Sequence, residues 1–260
     1  MKIIIRNCNV AELDIPLKYA TKLYNEFAIR HPNAFYLRTR QRGMQNWDGK
    51  IKYITKTGQF KIGLLPSVYK RCIELGIKPI IVDMRQPLPK VSKVVTQIGK
   101  YKLRPEQEKA VKAILSNKLG ETPFQIGVLD YTVNAGKTLI MSALYLSYKK
   151  QLKTLLITND SDWLNQARDE FKQYLPGEDI TFVQGKVLNW SNFTIGMVQS
   201  ISRNMKYYQN ELAKIDMVLI DEADQGGSKQ YQNVITRLFN TRVRIGLSGT
   251  CLLYTSPSPR

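Results

Sequence analysis

The sequence has little cysteine, no long apolar run and few acidic residues, and each shortage excludes a class of protein. Its three cysteines, Cys8, Cys72 and Cys251, share no metal-ligand spacing and offer no disulfide framework, so we expect a reducing cytoplasm. No stretch approaches the ~18 consecutive apolar residues that a membrane-spanning helix needs. The apolar part of the N-terminus, residues 3–5, is also too short for a signal peptide.

The scarcity of acidic residues leaves a strong and unevenly distributed positive charge. The 260 residues carry 39 Lys and Arg against 21 Asp and Glu, a formal net charge of +18. Residues 1–100 hold 19 of the basic and 6 of the acidic residues, a net of +13, whereas residues 101–260 hold 20 and 15. With 43% hydrophobic residues the chain can bury a core, and its length predicts one to two domains. The charge predicts a polyanionic partner, and nucleic acid is the first candidate.

The densest basic segment mixes cations with aromatic rings, a composition typical of nucleic-acid surfaces. Its cations are Arg38, Arg40, Arg42, Lys50, Lys52, Lys56 and Lys61, and its aromatic residues are Phe35, Tyr36, Trp47, Tyr53 and Phe60. The alternation of the three arginines predicts a strand with all three on one face, joined by a turn at 46–49 to a second strand at 50–54. The residues expected to contact nucleic acid are Arg38, Arg40, Arg42, Trp47, Lys50 and Lys52. The alternative is a solvated basic face whose aromatic residues belong to the core.

The pattern of elements divides the chain into two kinds of domain. Residues 1–90 predict a small basic α+β domain, with strands at 3–5 and 78–82 and helices at 16–28 and 66–75. Residues 91–100 end a proline-containing stretch without strong periodicity and predict a linker. After residue 101 strands and helices alternate, which is typical of a parallel α/β sheet. Its strands are expected at 125–129, 154–158, 180–183, 193–197, 217–220 and 243–247, and its helices at 105–117, 137–150, 161–174, 200–213 and 229–239.

Residues 134–138 follow an apolar strand and open a helix, which is the context of a phosphate-binding loop. In such a loop backbone N–H groups cradle phosphates, a lysine reaches the β and γ phosphates, and a hydroxyl binds Mg²⁺. The corresponding residues are Asn134, Ala135, Gly136, Lys137 and Thr138. The match is incomplete, because Tyr131 stands where the general pattern has its first glycine.

A second segment, residues 218–224, runs from an apolar strand directly into carboxylates. In a parallel sheet this places Asp221 and Glu222 at the carboxyl end of a strand, beside the phosphate-binding loop. Asp221 can bind Mg²⁺ through water, and Glu222 can orient and deprotonate an attacking water. The predicted catalytic residues are therefore Lys137, Asp221 and Glu222, and the predicted metal ligands are Thr138 and Asp221. The alternative is an acidic loop that caps the next helix.

Two further segments complete an ordered set of motifs. Residues 103–107 precede a helix upstream of Lys137, and residues 248–250 end an apolar strand downstream of Asp221. Together with the phosphate-binding loop and the carboxylates, this set resembles superfamily 2 helicases and translocases over residues 101–250. The resemblance implies a P-loop NTPase lobe with a RecA-like parallel sheet that uses ATP and Mg²⁺.

The resemblance also implies roles for residues outside the phosphate-binding loop. Gln107 matches the glutamine that reads adenine and, with Arg104, belongs to the implied nucleotide site. Ser248 and Thr250 match the motif that couples the nucleotide to nucleic acid. Segments 156–166 and 194–200 resemble the two motifs that touch the nucleic-acid backbone, which implies contacts from Gln166 and Gln199. Asn159 and Asp160 depart from the family, which has a proline–threonine pair there.

The basic segment narrows the resemblance to phage UvsW-type DNA helicases. Residues 46–51, read as Asn-Trp-Asp-Gly-Lys-Ile, and residues 63–66, read as Gly-Leu-Leu-Pro, are similar to their accessory domain. This implies an ATP-dependent DNA helicase that remodels branched intermediates, a second RecA-like lobe and a phage protein in a bacterial cytoplasm. The alternatives are an RNA helicase, a restriction-system motor subunit, or a nucleic-acid-binding protein that does not hydrolyse ATP.

The last ten residues, 251–260, break the pattern abruptly after the strand at 243–247. They resemble the translated adapter of a transposase-based sequencing library, and we expect them to be non-native. On that expectation the chain is the N-terminal portion of a longer helicase.

Overall fold

A computed structural model of the protein describes residues 1–40, 43–91, 93–130, 136–187 and 190–249. The chain divides into two compact units, Met1–Arg85 and a second unit that begins at Gln86. Within the described residues, no helix is long and apolar enough to cross a membrane. Each unit has its own sheet and its own core.

The N-terminal unit is an α+β arrangement built on a four-stranded sheet. Its elements are β1 (Lys2–Ile5), β2 (Val10–Asp14), α1 (Leu17–Glu26), β3 (Ala28–Arg30), α2 (Ala34–Arg40), β4 (Lys50–Lys52), β5 (Gln59–Lys61), α3 (Leu65–Glu74) and β6 (Ile80–Asp83). The strand order is β5-β2-β1-β6, with β6 parallel to β1 and the other pairs antiparallel. Alternate residues of β1, Ile3 and Ile5, are fully buried, which gives the sheet one core face. The predicted strands at 3–5 and 78–82 and the predicted helices at 16–28 and 66–75 are confirmed to within two residues.

The predicted arginine hairpin is wrong. Arg38 and Arg40 lie in helix α2, and β4 pairs with β3 in the register Ala28–Lys52, Ile29–Ile51 and Arg30–Lys50. The segment forms a helix because Ala34 is buried and Leu37 is half-buried, and their spacing is that of a helix. Alternating exposed arginines provide no buried face that would fix a strand. Arg42 lies outside the described residues.

The second unit is a six-stranded, all-parallel sheet covered by helices. Its elements are β7 (Gln97–Ile98), β8 (Tyr101–Lys102), α4 (Pro105–Ser116), β9 (Lys118–Leu119), β10 (Thr122–Pro123), β11 (Ile126–Asp130), α5 (Lys137–Ser147), β12 (Thr154–Thr158), α6 (Ser161–Tyr174), β13 (Ile180–Val183), β14 (Phe193–Met197), α7 (Val198–Arg203), α8 (Met205–Leu212), β15 (Met217–Asp221), α9 (Lys229–Ile235) and β16 (Val243–Ser248). The strand order is β11-β16-β15-β12-β14-β13. All six predicted strands are present, and the predicted fold class, a RecA-like α/β lobe preceded by a small α+β unit, is confirmed.

Helices on both faces bury strand β12 completely. Leu156 of β12 packs in a cluster with residues of α5 and α6, while its neighbours Leu155 and Ile157 pack in a second cluster with residues of α7, α8 and α9. This explains why β12 is an uninterrupted apolar run rather than an alternating one. The single helix predicted at 200–213 is two helices, because the backbone leaves helical geometry at Asn204.

The segment predicted as a linker packs on the core of the second unit. Val91, Val94 and Val95 contact the apolar cluster, Ile98 is buried, and the backbone N–H of Val95 donates to Ser147 Oγ at 3.0 Å. Its apolar residues, spread without a helical or strand period, still suffice to anchor it on that core. The division between the units falls earlier, after Arg85.

The strand order predicts unequal costs for truncating central and edge strands. Leu156→Ala should lower the free energy of unfolding by about 2–5 kcal/mol, because its buried side chain leaves a cavity. Val128→Ala, on edge strand β11 where the side chain is 49% exposed, should change it by less than about 0.5 kcal/mol. Urea unfolding followed by the fluorescence of Trp163 and Trp190, in a Trp47→Phe background, measures both. Equal losses would contradict the strand order.

Candidate nucleotide site and nucleic-acid surface

The predicted catalytic residues meet at the carboxyl edge of the parallel sheet. Lys137 begins α5, and Asp221 ends β15. The Lys137 Nζ lies 3.5 Å from Asp221 Oδ1 and 3.2 Å from Glu222 Oε1. The three side chains therefore form one charge cluster, although 84 residues separate the lysine from the first carboxylate.

Burial controls the electrostatics of this cluster. Asp221 is only 1% exposed, and this desolvation raises the pKa of its carboxyl above the ordinary range. The positive charge of Lys137 acts in the opposite direction and lowers that pKa, while the nearby Glu222 raises it. The lysine is thus the counter-charge that allows a buried carboxylate at this position.

Gly136 has a backbone conformation and a neighbour that both require glycine. Its φ is +77°, in the left-handed region. A Cβ at this position would lie 2.5 Å from Gln107 Nε2. The glutamine is itself fixed, because it is buried and its Oε1 accepts from the backbone N–H of Arg104 at 2.8 Å as part of a capping box on α4. The structure therefore brings Gln107 and Arg104 against the phosphate-binding loop.

The turn after β15 is tightly packed against its neighbours. Glu222 has a φ of +52°, a left-handed conformation that is costly for a residue with a side chain, and it opens a 3₁₀ turn, Ala223–Gly227. Tyr231 Oη donates to the Asp221 carbonyl at 3.2 Å. Ser248 Oγ lies 3.4 Å from Asp224 Oδ1, so the end of β16 is linked to the same turn.

The residues suit Mg²⁺ bound together with a phosphate. Thr138 is buried next to Lys137, so a hydroxyl and the carboxylate of Asp221 belong to the same edge of the sheet. Within the described residues there is no group of three or more His, Cys, Asp and Glu that could form a metal site without a nucleotide. Mg²⁺ is commonly coordinated by one or two protein oxygens together with phosphate oxygens, and Thr138 and Asp221 supply oxygens of this kind. Asn134, Ala135 and Thr250 lie outside the described residues.

The two glutamines predicted to contact nucleic acid occupy different surroundings. Gln166 is exposed on α6 and bonds to Glu170 at 3.1 Å. Gln199, in α7, donates from Nε2 to the carbonyl of Asn159 at 3.2 Å. Asn159 in turn donates from Nδ2 to Gln225 Oε1 in the turn after β15. Sequence reasoning did not identify Asn159 as a contact or Gln225 at all, since an exposed amide carries no pattern of its own.

The basic surface of the N-terminal unit is formed by α2 and the β3–β4 ribbon. Arg38 and Arg40 are exposed, and the Arg40 guanidinium stacks over the Tyr36 ring at 4.9 Å. Phe35 is 80% exposed and Tyr36 is 53% exposed, so two adjacent rings of α2 face solvent. Lys50 is also exposed. Exposed aromatic rings among cations are typical of an interaction surface.

Other members of the predicted set have structural roles. Trp47 donates from Nε1 to the Lys50 carbonyl at 3.0 Å and packs edge-on against His31. Lys52 lies 3.3 Å from Asp48 and over the Tyr24 ring. The backbone N–H of Lys50 and, after it, the Lys52 ammonium lower the pKa of the Asp48 carboxyl. Lys52 therefore has a local counter-ion, and Trp47 shapes the loop before β4.

Because the turn after β15 packs on β16, we expect alanine substitution to destabilise the unit at one glycine and not at another. Gly246→Ala should destabilise the unit by about 1–3 kcal/mol, because the new Cβ would lie 2.5 Å from the Ala223 Cβ. Gly127→Ala, on the neighbouring strand β11, is the control, since its Cβ meets nothing within 4 Å. Thermal unfolding of the two variants measures the difference. Equal midpoints would show that the turn does not pack on β16 as described.

Comparison with known proteins supports the same architecture. A family model described as "Type III restriction enzyme, res subunit" matches residues 100–253. A protein of Acanthamoeba polyphaga mimivirus, provisionally named an ATP-dependent RNA helicase, is 26% identical over 147 residues, which cover 56% of this chain and 27% of that protein. The ATP-dependent DNA helicase uvsW of Enterobacteria phage T4 is 24% identical over 226 residues, which cover 79% of this chain and 43% of uvsW. The chain thus spans less than half the length of these relatives.

Solved structures agree in fold. A crystal structure of the UvsW helicase from bacteriophage T4 superposes with a TM-score of 0.72 at 21% identity, covering 96% of this chain and 93% of that chain. A second T4 UvsW structure gives 0.73 at 22% identity, covering 96% of this chain and 53% of the other. Because the family model covers more than half of the chain, this protein belongs to the Type III restriction enzyme res-subunit family and, with it, to the superfamily 2 helicases.

Proposed function

We propose that this chain is the nucleotide-binding and DNA-binding part of an ATP-dependent DNA helicase or branch-migration translocase. The observation that carries the proposal is the position of Lys137 between Asp221 and Glu222, at the edge where the phosphate-binding loop meets the end of β15. A lysine, a buried carboxylate and a more exposed carboxylate are the groups that phosphoryl transfer to water needs. Membership of the helicase family supports the same reaction.

Each residue of the cluster has a distinct role in this proposal. Bound Mg²⁺ would neutralise phosphate charge, and Asp221 and Thr138 are the residues that would hold it. Lys137 leaves the carboxylates and pairs with the β and γ phosphates. Glu222, which is partly exposed, orients the attacking water and accepts its proton. Asp221 would hold the metal as a carboxylate, and the bound ion would supply the counter-charge that Lys137 supplies in this structure.

The remaining nucleotide contacts follow from the packing around Gly136. Gln107 and Arg104 lie against this glycine, and we assign them to the nucleotide site because the family resemblance implies that Gln107 reads adenine. Ser248 reaches Asp224 in the turn that begins at Glu222, which suits a residue that transmits changes at the site to the end of β16. Asn134 and Ala135 as phosphate ligands, Thr250 as a coupling residue and the second RecA-like lobe remain predictions.

The basic surface of α2 and the β3–β4 ribbon is the proposed DNA site of the N-terminal unit. Cations there have few local counter-ions, whereas Arg71 on α3 is paired with Glu26 and Glu74. Gln166 and Gln199 are proposed to contact the DNA backbone from the second unit. The relative in phage T4 is named a DNA helicase and the relative in mimivirus an RNA helicase. We favour DNA, in branched form, and a phage protein acting in the bacterial cytoplasm.

Removing the lysine should separate nucleotide binding from DNA binding. Lys137→Ala should weaken the binding of a fluorescent ATP analogue with Mg²⁺ at least about tenfold, because a charge-assisted contact of about 1.5–3 kcal/mol is lost. Affinity for DNA should stay unchanged. Lys172→Ala, an exposed lysine on α6, is the control and should change neither. Unchanged nucleotide affinity in Lys137→Ala would refute the proposed site.

Removing two arginines should have the reverse effect. Arg38→Ala combined with Arg40→Ala should lower DNA affinity and reduce the dependence of log affinity on log salt by up to about two phosphate contacts. Nucleotide affinity should not change. The pair Lys70→Ala and Lys78→Ala removes the same charge from exposed positions elsewhere in the unit and is the control. Fluorescence anisotropy across a salt series measures the slope of log affinity against log salt. Competition with DNA and with RNA shows which nucleic acid is preferred. Equal losses in the two double variants would show a non-specific charge effect.

A further inference from the structure

Two hydrogen bonds connect Gln199, Asn159 and Gln225 across the carboxyl edge of the parallel sheet. Gln199 donates from Nε2 to the Asn159 carbonyl at 3.2 Å, and Asn159 donates from Nδ2 to Gln225 Oε1. We name this link the amide bridge. It is separate from the charge cluster of Lys137, Asp221 and Glu222.

The strand order makes the amide bridge a connection between three neighbouring strands. Gln199 follows β14, Asn159 follows β12 and Gln225 follows β15. Since β12 lies between β14 and β15, a residue at its end is the one that can reach both neighbours. Asn159 accepts a bond from Gln199 with its backbone carbonyl and donates a bond to Gln225 with its side-chain amide.

One end of the amide bridge lies in the turn that opens at the proposed catalytic residue Glu222. Gln225 belongs to the 3₁₀ turn that opens at Glu222, and its backbone N–H donates to the Glu222 carbonyl at 3.0 Å. Glu222 itself has the strained φ of +52°, a conformation that persists only where the surroundings determine it. A contact that anchors this turn therefore helps to fix the direction of the Glu222 carboxylate.

The other end of the amide bridge is incompletely bonded. The Oε1 of Gln199 is buried and has no hydrogen-bond partner among the described residues. A buried acceptor without a partner is unfavourable, so a bound nucleic-acid strand that supplies a donor, directly or through a water, would favour a movement of this side chain. Such a movement changes the bond from Gln199 to Asn159.

We propose that the amide bridge couples nucleic-acid contact at Gln199 to the placement of Glu222, with Asn159 as the positioning residue between them. The inference rests on the proposed function, since it assumes that nucleotide and nucleic acid bind to this chain. It concerns a feature of this sequence, since the bond to Gln225 requires the side-chain amide of Asn159.

The test is the linkage between the two ligands on the full chain. The affinity for an ATP analogue with Mg²⁺ is measured without DNA and with a saturating oligonucleotide, and the ratio gives the coupling factor. Typical coupling factors are about 5–150-fold. Asn159→Ala and Gln225→Ala should each bring the ratio close to one, and the double variant should cause no further loss because both remove the same bond. The affinity for each ligand alone should stay within about twofold.

Two further variants distinguish coupling from a general structural effect. Gln225→Glu keeps an acceptor for Asn159 Nδ2 and should retain the coupling factor. Asn233→Ala removes another amide bond between neighbouring elements, that to Ser202 Oγ at 3.3 Å, and should also retain it. A full coupling factor in Asn159→Ala, or a ratio of one in the unaltered chain that binds both ligands, would overturn the inference and leave the proposed function intact. Failure of the unaltered chain to bind nucleotide or DNA would overturn both.

Discussion

The second unit depends on one electrostatic requirement, which is that a buried carboxylate must have a counter-charge. Asp221 ends a strand that is packed on both faces, and its carboxyl is almost completely removed from water. An ionised group in such a place costs several kcal/mol unless a partner of opposite charge is close. Lys137, 3.5 Å away, is that partner. The arrangement requires the start of α5 and the end of β15 to be held together.

Strand β16 makes this possible, because it lies between β11 and β15 in the sheet. β11 is the strand that precedes α5 in the sequence and β15 ends at Asp221, so β16 lies between the strands that come before the lysine and the carboxylate. Gly246 of β16 leaves room for Ala223, and Ser248 at its end reaches Asp224. The same strand therefore spaces the charge cluster and supports the turn that carries Glu222.

Prediction from sequence succeeded where a pattern reflected burial and failed where it reflected only exposed charge or irregular spacing. The six parallel strands and the helix that begins at Lys137 were predictable, because buried apolar runs and a Gly-Lys-Thr at a helix start have specific physical causes. The three alternating arginines were misleading. Alternation of exposed charges fixes no buried face, and Ala34 and Leu37 impose the helical period of α2 instead. The packing of the valines in residues 91–100 was also not predicted, since contact with the core needs apolar surface but no regular period.

The candidate site divides in the same manner. Lys137, Asp221 and Glu222 could be named from their motifs, because the carboxyl ends of parallel strands share one edge of the sheet. Their mutual distances, the left-handed backbone of Glu222 and the contact between Gln107 and Gly136 came only from the fold. The sequence by itself determined the fold class, the concentration of charge in the first hundred residues and the identity of the charged groups, since all are local patterns. The tertiary structure alone decided that Asn159 lies between Gln199 and Gln225, because that contact depends on which strand lies between its neighbours.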